Sequence, residues 1–315
     1  MPGTVPAATL QDRCGRLIDE FRSRPGTSAR AVLVTIFGDS IEPHGGEVAT
    51  GSLVRLVAPF AINERLVRTS LTRLVGEGLL TTSRHGRRSF YAVTPPARLE
   101  FRSAEDRIYH RAREAWDGRW TIVVEANGLP PAARTALRQR LGWLGFGILA
   151  PPVHVTPADR TGELTELLAE LDLHGQVAVF RGRAPGTVGL PDRALVAATA
   201  ADLDALRPAW EAFLRRFAPV AEADPRAVDP ETAFAVRTLL VHEYRRVVLR
   251  EPELPAELWP PGWVGDRAYE VAADAYRYLF PDAEAHLAAA AETPTGPLPP
   301  ADARYGTRYT DPAPA

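Results

Sequence analysis

Apolar residues recur at helical spacing in Leu10, Cys14, Leu17, Ile18 and Phe21, the stripe of one amphipathic helix. Residues 1–27 begin and end among Pro and Gly, so this N-terminal extension is either a helix docked on the body or a frayed tail. The run Ser28-Ala-Arg-Ala-Val-Leu-Val-Thr-Ile-Phe37 predicts a first helix of the body, with Ser28 as its N-cap. Pro43-His-Gly-Gly46 breaks it. Residues 50–57 predict a second helix, stopped near Pro59. Asn63 then caps a third, over 64–76, and Gly78 supplies a left-handed stop. Two short β-type runs, 79–83 and 88–93, flank the tight turn Arg84-His-Gly-Arg87. Helices followed by a hairpin in this order predict a winged helix-turn-helix over 28–94.

The pattern then changes. Residues 95–117 are charged and helical, and read as a linker helix. Strand (120–124), helix (130–141), strand (145–149), a second strand after Pro151-Pro152, helix (163–171) and strand (176–180) follow. That order predicts a ferredoxin-like sandwich over 118–200. From 201 to 292 the chain reads as a helical C-terminal domain for effector binding or dimerisation. Within it Phe234, Val241, Tyr244 and Val248 form a stripe, and 254–265 is a Pro- and Trp-rich loop. A last long helix covers 267–279, with a short one after Pro281. Residues 293–315, rich in Pro, Thr, Asp and Gly, read as a disordered tail. The fold class is α+β.

Composition narrows the function classes. The 315 residues are 45% hydrophobic and 24% charged, the balance of a globular protein with a sizeable core. The net charge is -2, so any nucleic-acid contact must rest on local basic charge. Apart from histidine, every basic residue is arginine. The single cysteine, Cys14, rules out a disulfide within the chain and any multi-cysteine metal site. There is no secretory leader pattern and no run of roughly 20 apolar residues, which makes the cytoplasm the expected location and a membrane partner unexpected.

Basic charge is indeed local. Residues 28–94 hold 8 Arg against 5 acids, and most of those Arg fall on the third helix and the hairpin. On the third helix Leu66, Val67, Leu71, Leu74 and Val75 are placed on the packing face. Arg65, Arg68, Thr69, Thr72 and Arg73 share the opposite face, which suits the major groove. Asn63 belongs to the same surface as the cap. Arg84, His85, Arg87 and Arg88 sit at the turn, where a wing meets flanking phosphate or the minor groove. Taken alone, either element is equally well a solvated surface. Together they point to double-stranded DNA.

Several separate motifs in order carry a resemblance. Leu33-Val-Thr-Ile-Phe-Gly-Asp39, Gly45-Gly-Glu-Val48, Ile62-Asn-Glu-Arg-Leu-Val-Arg-Thr69 and Gly86-Arg-Arg-Ser-Phe-Tyr91 lie in the first third. Trp116-Asp-Gly-Arg-Trp120 and Leu144-Gly-Phe-Gly147 lie in the middle. Leu240-Val-His-Glu-Tyr-Arg-Arg246, Glu251-Pro-Glu-Leu-Pro-Ala-Glu-Leu258 and Pro261-Gly-Trp263 lie towards the end. Over roughly 28–290 the chain resembles the PaaX family, repressors of phenylacetate catabolism. The resemblance implies a winged helix-turn-helix, a ferredoxin-like domain similar to the CRISPR Cas2 proteins, and a helical C-terminal domain. It further implies a homodimer on a palindromic operator, released by an acyl-CoA effector such as phenylacetyl-CoA. No cofactor, metal or catalytic residue is implied.

Effector candidates follow from chemistry. His242, Arg245 and Arg246 lie on a helix over 231–250, and guanidinium groups suit CoA phosphates. Trp259 and Trp263 could flank an aromatic acyl group. The same residues equally suit a domain or dimer interface. A zinc site at His242-Glu243 is excluded, because the position four residues on is Arg246 rather than a second His. The rival reading is a Cas2-like metal-dependent nuclease using Glu125 at the end of the first central strand. A winged helix used only for protein contact would carry a more mixed reading face.

Overall fold

The computed structural model describes residues 9–24, 26, 28–111, 115–126, 128–185, 189–199, 203–223 and 228–310. The chain divides into two compact units. Among the described residues no helix is long and apolar enough to cross a membrane.

The first unit draws on Met1–Arg111, Ala209–Leu249 and Gly265–Ala313. Helix α1 (Leu10–Ser23) opens with a capping box in which Thr9 and Asp12 satisfy each other's backbone N–H. It buries Leu10, Cys14, Leu17, Ile18 and Phe21, so the extension is docked rather than frayed. Helix α2 (Ala29–Ile36) starts at the N-cap Ser28, as expected. It runs into a π-helical turn, Phe37–Ile41, that turns Asp39 and Ser40 into the interior. Strand β1 (Glu47–Ala49) follows, then α3 (Thr50–Val57) and α4 (Glu64–Gly76). Strands β2 (Leu80–His85) and β3 (Arg88–Val93) form a hairpin, and β1 pairs with β3 to give the order β1-β3-β2. The short β1 was not expected, because three residues are too few for periodicity to register.

Helix α5 (Pro95–Tyr109) ends eight residues short of the expected linker helix. In the second unit, drawn from Ala112–Pro208 and Arg250–Val264, β4 (Trp120–Glu125), α6 (Pro131–Trp143), β5 (Gly147–Ala150), β6 (Val153–Thr156), α7 (Thr161–Glu170) and β7 (Val177–Gly182) follow in turn. The antiparallel sheet has the order β5-β6-β4-β7, the ferredoxin-like arrangement. Val123 meets Leu137 and Leu141 of α6 and Leu164, Leu167 and Leu168 of α7 in its core. Helix α8 (Asp192–Thr199) packs so tightly on β5 that a Cβ on Gly147 would collide with the Thr199 carbonyl.

The expected boundaries change most in the last third. Most of α9 (Leu203–Ala221), with α10 (Pro230–Val248) and nearly all of α11 (Val264–Ala290), groups with the N-terminal residues in the first unit. Helix α10 is buried on nearly every side from Ala233 to His242, so it is a central helix of the first unit. It packs against α1, α2 and α5. Residues 250–264 belong to the second unit instead. Helix α11 continues through Pro281 without the expected break, because Ala283, Leu287 and Ala290 stay buried beyond it. The stretch read as a disordered tail is also packed as far as 310. Strands β8 (Glu292–Thr293) and β9 (Gly296–Pro297) form a small hairpin, and Tyr305, Arg308 and Tyr309 are buried. Three anchors suffice to hold a segment whose average composition is that of a loop. Residues 311–315 lie outside the described set.

Candidate nucleic-acid interface

Helix α4 is aimed by its cap and its apolar stripe. The Asn63 side chain accepts from the Leu66 N–H at 3.0 Å, which fixes where the helix begins. Val67, Ser70, Leu71 and Leu74 face inward, at i, i+3, i+4 and i+7. Leu66 was placed on that packing face but is 48% exposed. It lies one residue, about 100° of helical turn, ahead of the stripe, and the small hydroxyl of Ser70 takes the interior place.

The opposite face is open. Arg65, Arg68, Thr69, Thr72 and Arg73 are all exposed. Thr69 and Thr72 donate their hydroxyls to the Arg65 and Arg68 carbonyls, at 2.9 and 3.0 Å. Arg68 pairs with Glu64 at 2.6 Å, one helical turn earlier. Exposed pairs of this kind contribute roughly 0.3–0.5 kcal/mol, so a phosphate or base edge can displace the acid. Arg30 of α2 pairs with Glu77 at the C-terminus of α4, leaving α4's own Arg65 and Arg73 without an ion pair among the described residues.

The hairpin turns at Gly86 and Arg87, with Gly86 at φ +63°. Arg84, His85, Arg87 and Arg88 are exposed. The His85 ring stands edge-on to Phe90, its centroid 5.5 Å away. Arg84 and Arg87 make no ion pair among the described residues. Arg88 does: its Nη1 donates to Glu292 Oε2 at 3.1 Å, a contact invisible at a separation of 204 residues.

The effector candidates are divided between the two units. His242 is buried and shares a 3.1 Å hydrogen bond with Thr35 Oγ1. Burial, assisted by the nearby Arg245 and Arg246 charges, pushes its imidazole down to about 3, so it is neutral. Arg245 donates to Thr35 Oγ1 at 2.9 Å and to the Ala31 carbonyl at 3.1 Å. Both residues are committed to packing α10 on α2. Arg246 is exposed. Trp259 and Trp263 belong to the second unit, where their rings lie 5.8 Å apart. Their indole N–H groups donate to the Leu254 carbonyl and to Glu251, at 2.9 and 2.7 Å. Both are buried, so neither presents a face to a ligand.

Glu125 is buried too. Its carboxylate accepts from Arg138 at 2.7 Å and His154 at 2.8 Å, and pairs with Arg134 at 3.2 Å. Although burial opposes ionisation, Arg138 and His154 hold its carboxyl below the usual range. Its charge is spent on guanidinium groups rather than offered to a cation. Among the described residues, no three His, Cys, Asp or Glu side chains group to hold a metal ion.

Comparison with known proteins decides the family. Residues 28–96 match the model of a PaaX-like protein, 113–194 that of the PaaX protein central Cas2-like domain, and 201–289 that of the PaaX-like protein C-terminal domain. The chain belongs to the PaaX family. A curated relative, the transcriptional repressor PaaX of Escherichia coli (strain K12), is 35% identical over 288 residues, covering 90% of each chain. An uncharacterized protein from Mycobacterium tuberculosis shares the fold, with a TM-score of 0.54 and 24% identity over 82% of this chain and 98% of that one. The first PaaX match contains both α4 and the hairpin. The PaaX C-terminal match stops at 289, before Glu292 and the packed segment that ends at 310.

Proposed function

We propose that this PaaX-family protein is a sequence-specific DNA-binding transcriptional repressor rather than an enzyme. In this reading residues 28–94 are a winged helix-turn-helix, with α4 in the major groove and the β2–β3 hairpin as wing. The single observation that carries it is the outward face of α4. Arg65, Arg68, Thr69, Thr72 and Arg73 stand together in solvent, backed by a rigid apolar stripe and flanked by the Arg84–Arg88 turn. Guanidinium groups there suit guanine edges and phosphates, and threonine methyls suit thymine. The name and 90% coverage of the curated relative support the same reading.

The chain then acts in the cytoplasm as a homodimer, placing two α4 helices in successive major grooves of a palindromic operator. An acyl-CoA thioester such as phenylacetyl-CoA releases it by preferring a subunit spacing that does not fit the two half-sites. Of the earlier effector candidates, Arg246 alone keeps both its charge and its access, and contact with the effector is proposed for it alone. The nuclease reading finds no support at Glu125, whose carboxylate is already neutralised by Arg134 and Arg138.

The test is a mobility shift on DNA upstream of the chain's own gene, titrated with a panel of acyl-CoA thioesters. The reading requires a discrete complex, abolished by one thioester. Cleavage of that DNA in magnesium, or no complex at any salt concentration, overturns it.

A further inference from the structure

Glu292 stands directly after α11, on strand β8, yet its carboxylate reaches α3 and the β2–β3 hairpin of the 28–94 segment. Its Oε2 accepts from Arg88 Nη1 at 3.1 Å, and its Oε1 lies 3.9 Å from Arg55 Nη2 on α3. Its position is built. The Glu292 N–H donates to Ser52 Oγ at 3.1 Å, the residue is paired with Pro297 in the β8–β9 hairpin, and β8 lies against β1. Arg55 is held beside it by the Ala290 carbonyl, at 2.7 and 3.1 Å. A fixed carboxylate therefore sits between one guanidinium from the helix preceding α4 and one from the hairpin. In helix-turn-helix proteins those two elements flank the reading helix and take backbone phosphates.

The pair adds little to folding. Arg88 is 65% exposed at its side chain, and ion pairs that open are weak. The placement has more consequence for an anion arriving from outside. A phosphate seeking Arg88 meets a cation already neutralised, and must displace Glu292 to use it. That penalty falls on every duplex, whatever its sequence.

We propose that Glu292 is a built-in competitor for DNA phosphate, which occupies Arg88 and Arg55 and holds down sequence-independent binding. The proposal rests on the DNA-binding reading above and adds a residue from outside the 28–94 module to it. Among the described residues Arg65, Arg68 and Arg73 on α4 carry no such tether from the C-terminal segment, so the competition acts on backbone contact and spares base readout.

The experiment is fluorescence anisotropy with a labelled non-operator duplex and an operator duplex over a range of salt concentrations. It compares wild type, Glu292→Gln, Glu292→Ala, Arg88→Ala and the Glu292→Gln/Arg88→Ala pair. Removing the carboxylate is expected to tighten non-operator binding about two- to fivefold and to steepen the salt dependence by about one unit of slope. The gain is expected to shrink or vanish in the Arg88→Ala background. Unchanged or weaker binding in both Glu292 variants overturns the proposal, as does a gain that persists in full without Arg88. Since a purely structural salt bridge does not alter the salt slope, that slope separates the two roles. A wild-type protein that binds no duplex at all sinks the DNA reading itself, whereas wild-type binding indifferent to Glu292 sinks this inference alone.

Discussion

Arg308 donates from Nη1 to the Asp39 carbonyl at 2.7 Å and to its carboxylate at 3.2 Å, with both side chains fully enclosed. One residue lies near the end of the described chain, and the other lies in the π-turn that follows α2. Tyr109 and Tyr276 donate to the same carboxylate at 2.6 and 3.1 Å. Arg237 approaches from the other side at 3.4 Å. A second acid, Glu105, accepts from Arg308 at 2.8 Å. The C-terminal segment is thereby part of the core of the first unit.

Arg308→Ala leaves Asp39 and Glu105 short of a buried partner. Breaking such a pair from one side costs about 3–5 kcal/mol. Urea unfolding of the variant is expected to show a loss of that order. A loss below about 1 kcal/mol would mean that the segment only rests on the surface.

Arg68→Ala tests the reading face. If Arg68 reads a base, the operator complex weakens by about 1–3 kcal/mol and preference relaxes at that position. Arg87→Ala, at the turn, is expected to weaken all duplexes alike and to lower the salt slope by about one. Equal operator affinity for wild type and both variants places the reading surface elsewhere.

His242 makes stability depend on pH. Its pKa in the fold is depressed to about 3, against 6.5 for the free side chain. The stability from keeping it neutral is therefore full above pH 6.5 and is lost as the pH falls towards 3. The slope is about 1.4 kcal/mol per pH unit. Glu284 acts in a lower window. Burial opposes its charge, but bonds from His44, Tyr305 and Arg237 hold it at about 2, so its contribution is lost only below 4.5. His44, raised by Glu284 despite its burial, acts in the opposite sense above 6.5. His286 is lowered by burial and acts in the same direction below 6.5, so the informative quantity is a difference. Between pH 6.5 and 4.5, wild type is expected to lose more stability than His242→Gln. Parallel curves would exclude His242 as the source.

Gly147→Ala probes the contact between α8 and β5. The new methyl meets the Thr199 backbone carbonyl, and backbone cannot swing aside as a side chain can. The expected cost is at least the 1–3 kcal/mol typical of overpacking, read as a lower thermal midpoint. A neutral substitution would show that α8 does not abut the strand.

Local signals were legible wherever a residue acts on its neighbours. Ser28 and Asn63 cap the helices they were assigned to, because capping is a bond to a backbone N–H three residues away. The hairpin turn at Gly86 and the order of the central strands were equally readable, as was the exposed Arg and Thr face of α4. Leu66 shows the limit. Hydrophobicity placed it inward, but helical angle turned it out and brought Ser70 in. The effector candidates show a related limit. His242, Arg245, Trp259 and Trp263 have the right chemistry for a ligand, yet packing had already engaged each of them.

Sequence by itself determined the family, the helices and strands, and which side of α4 carries charge, since these follow from spacing and from contacts within a few residues. Only the tertiary structure decided that α10 is a core helix of the first unit, that the segment through 310 is anchored by Arg308, and that Glu292 occupies Arg88. Those outcomes join residues some 200 or more positions apart. Desolvation and charge pairing at such separations depend on where the chain folds back, and that is written in no local pattern of residues.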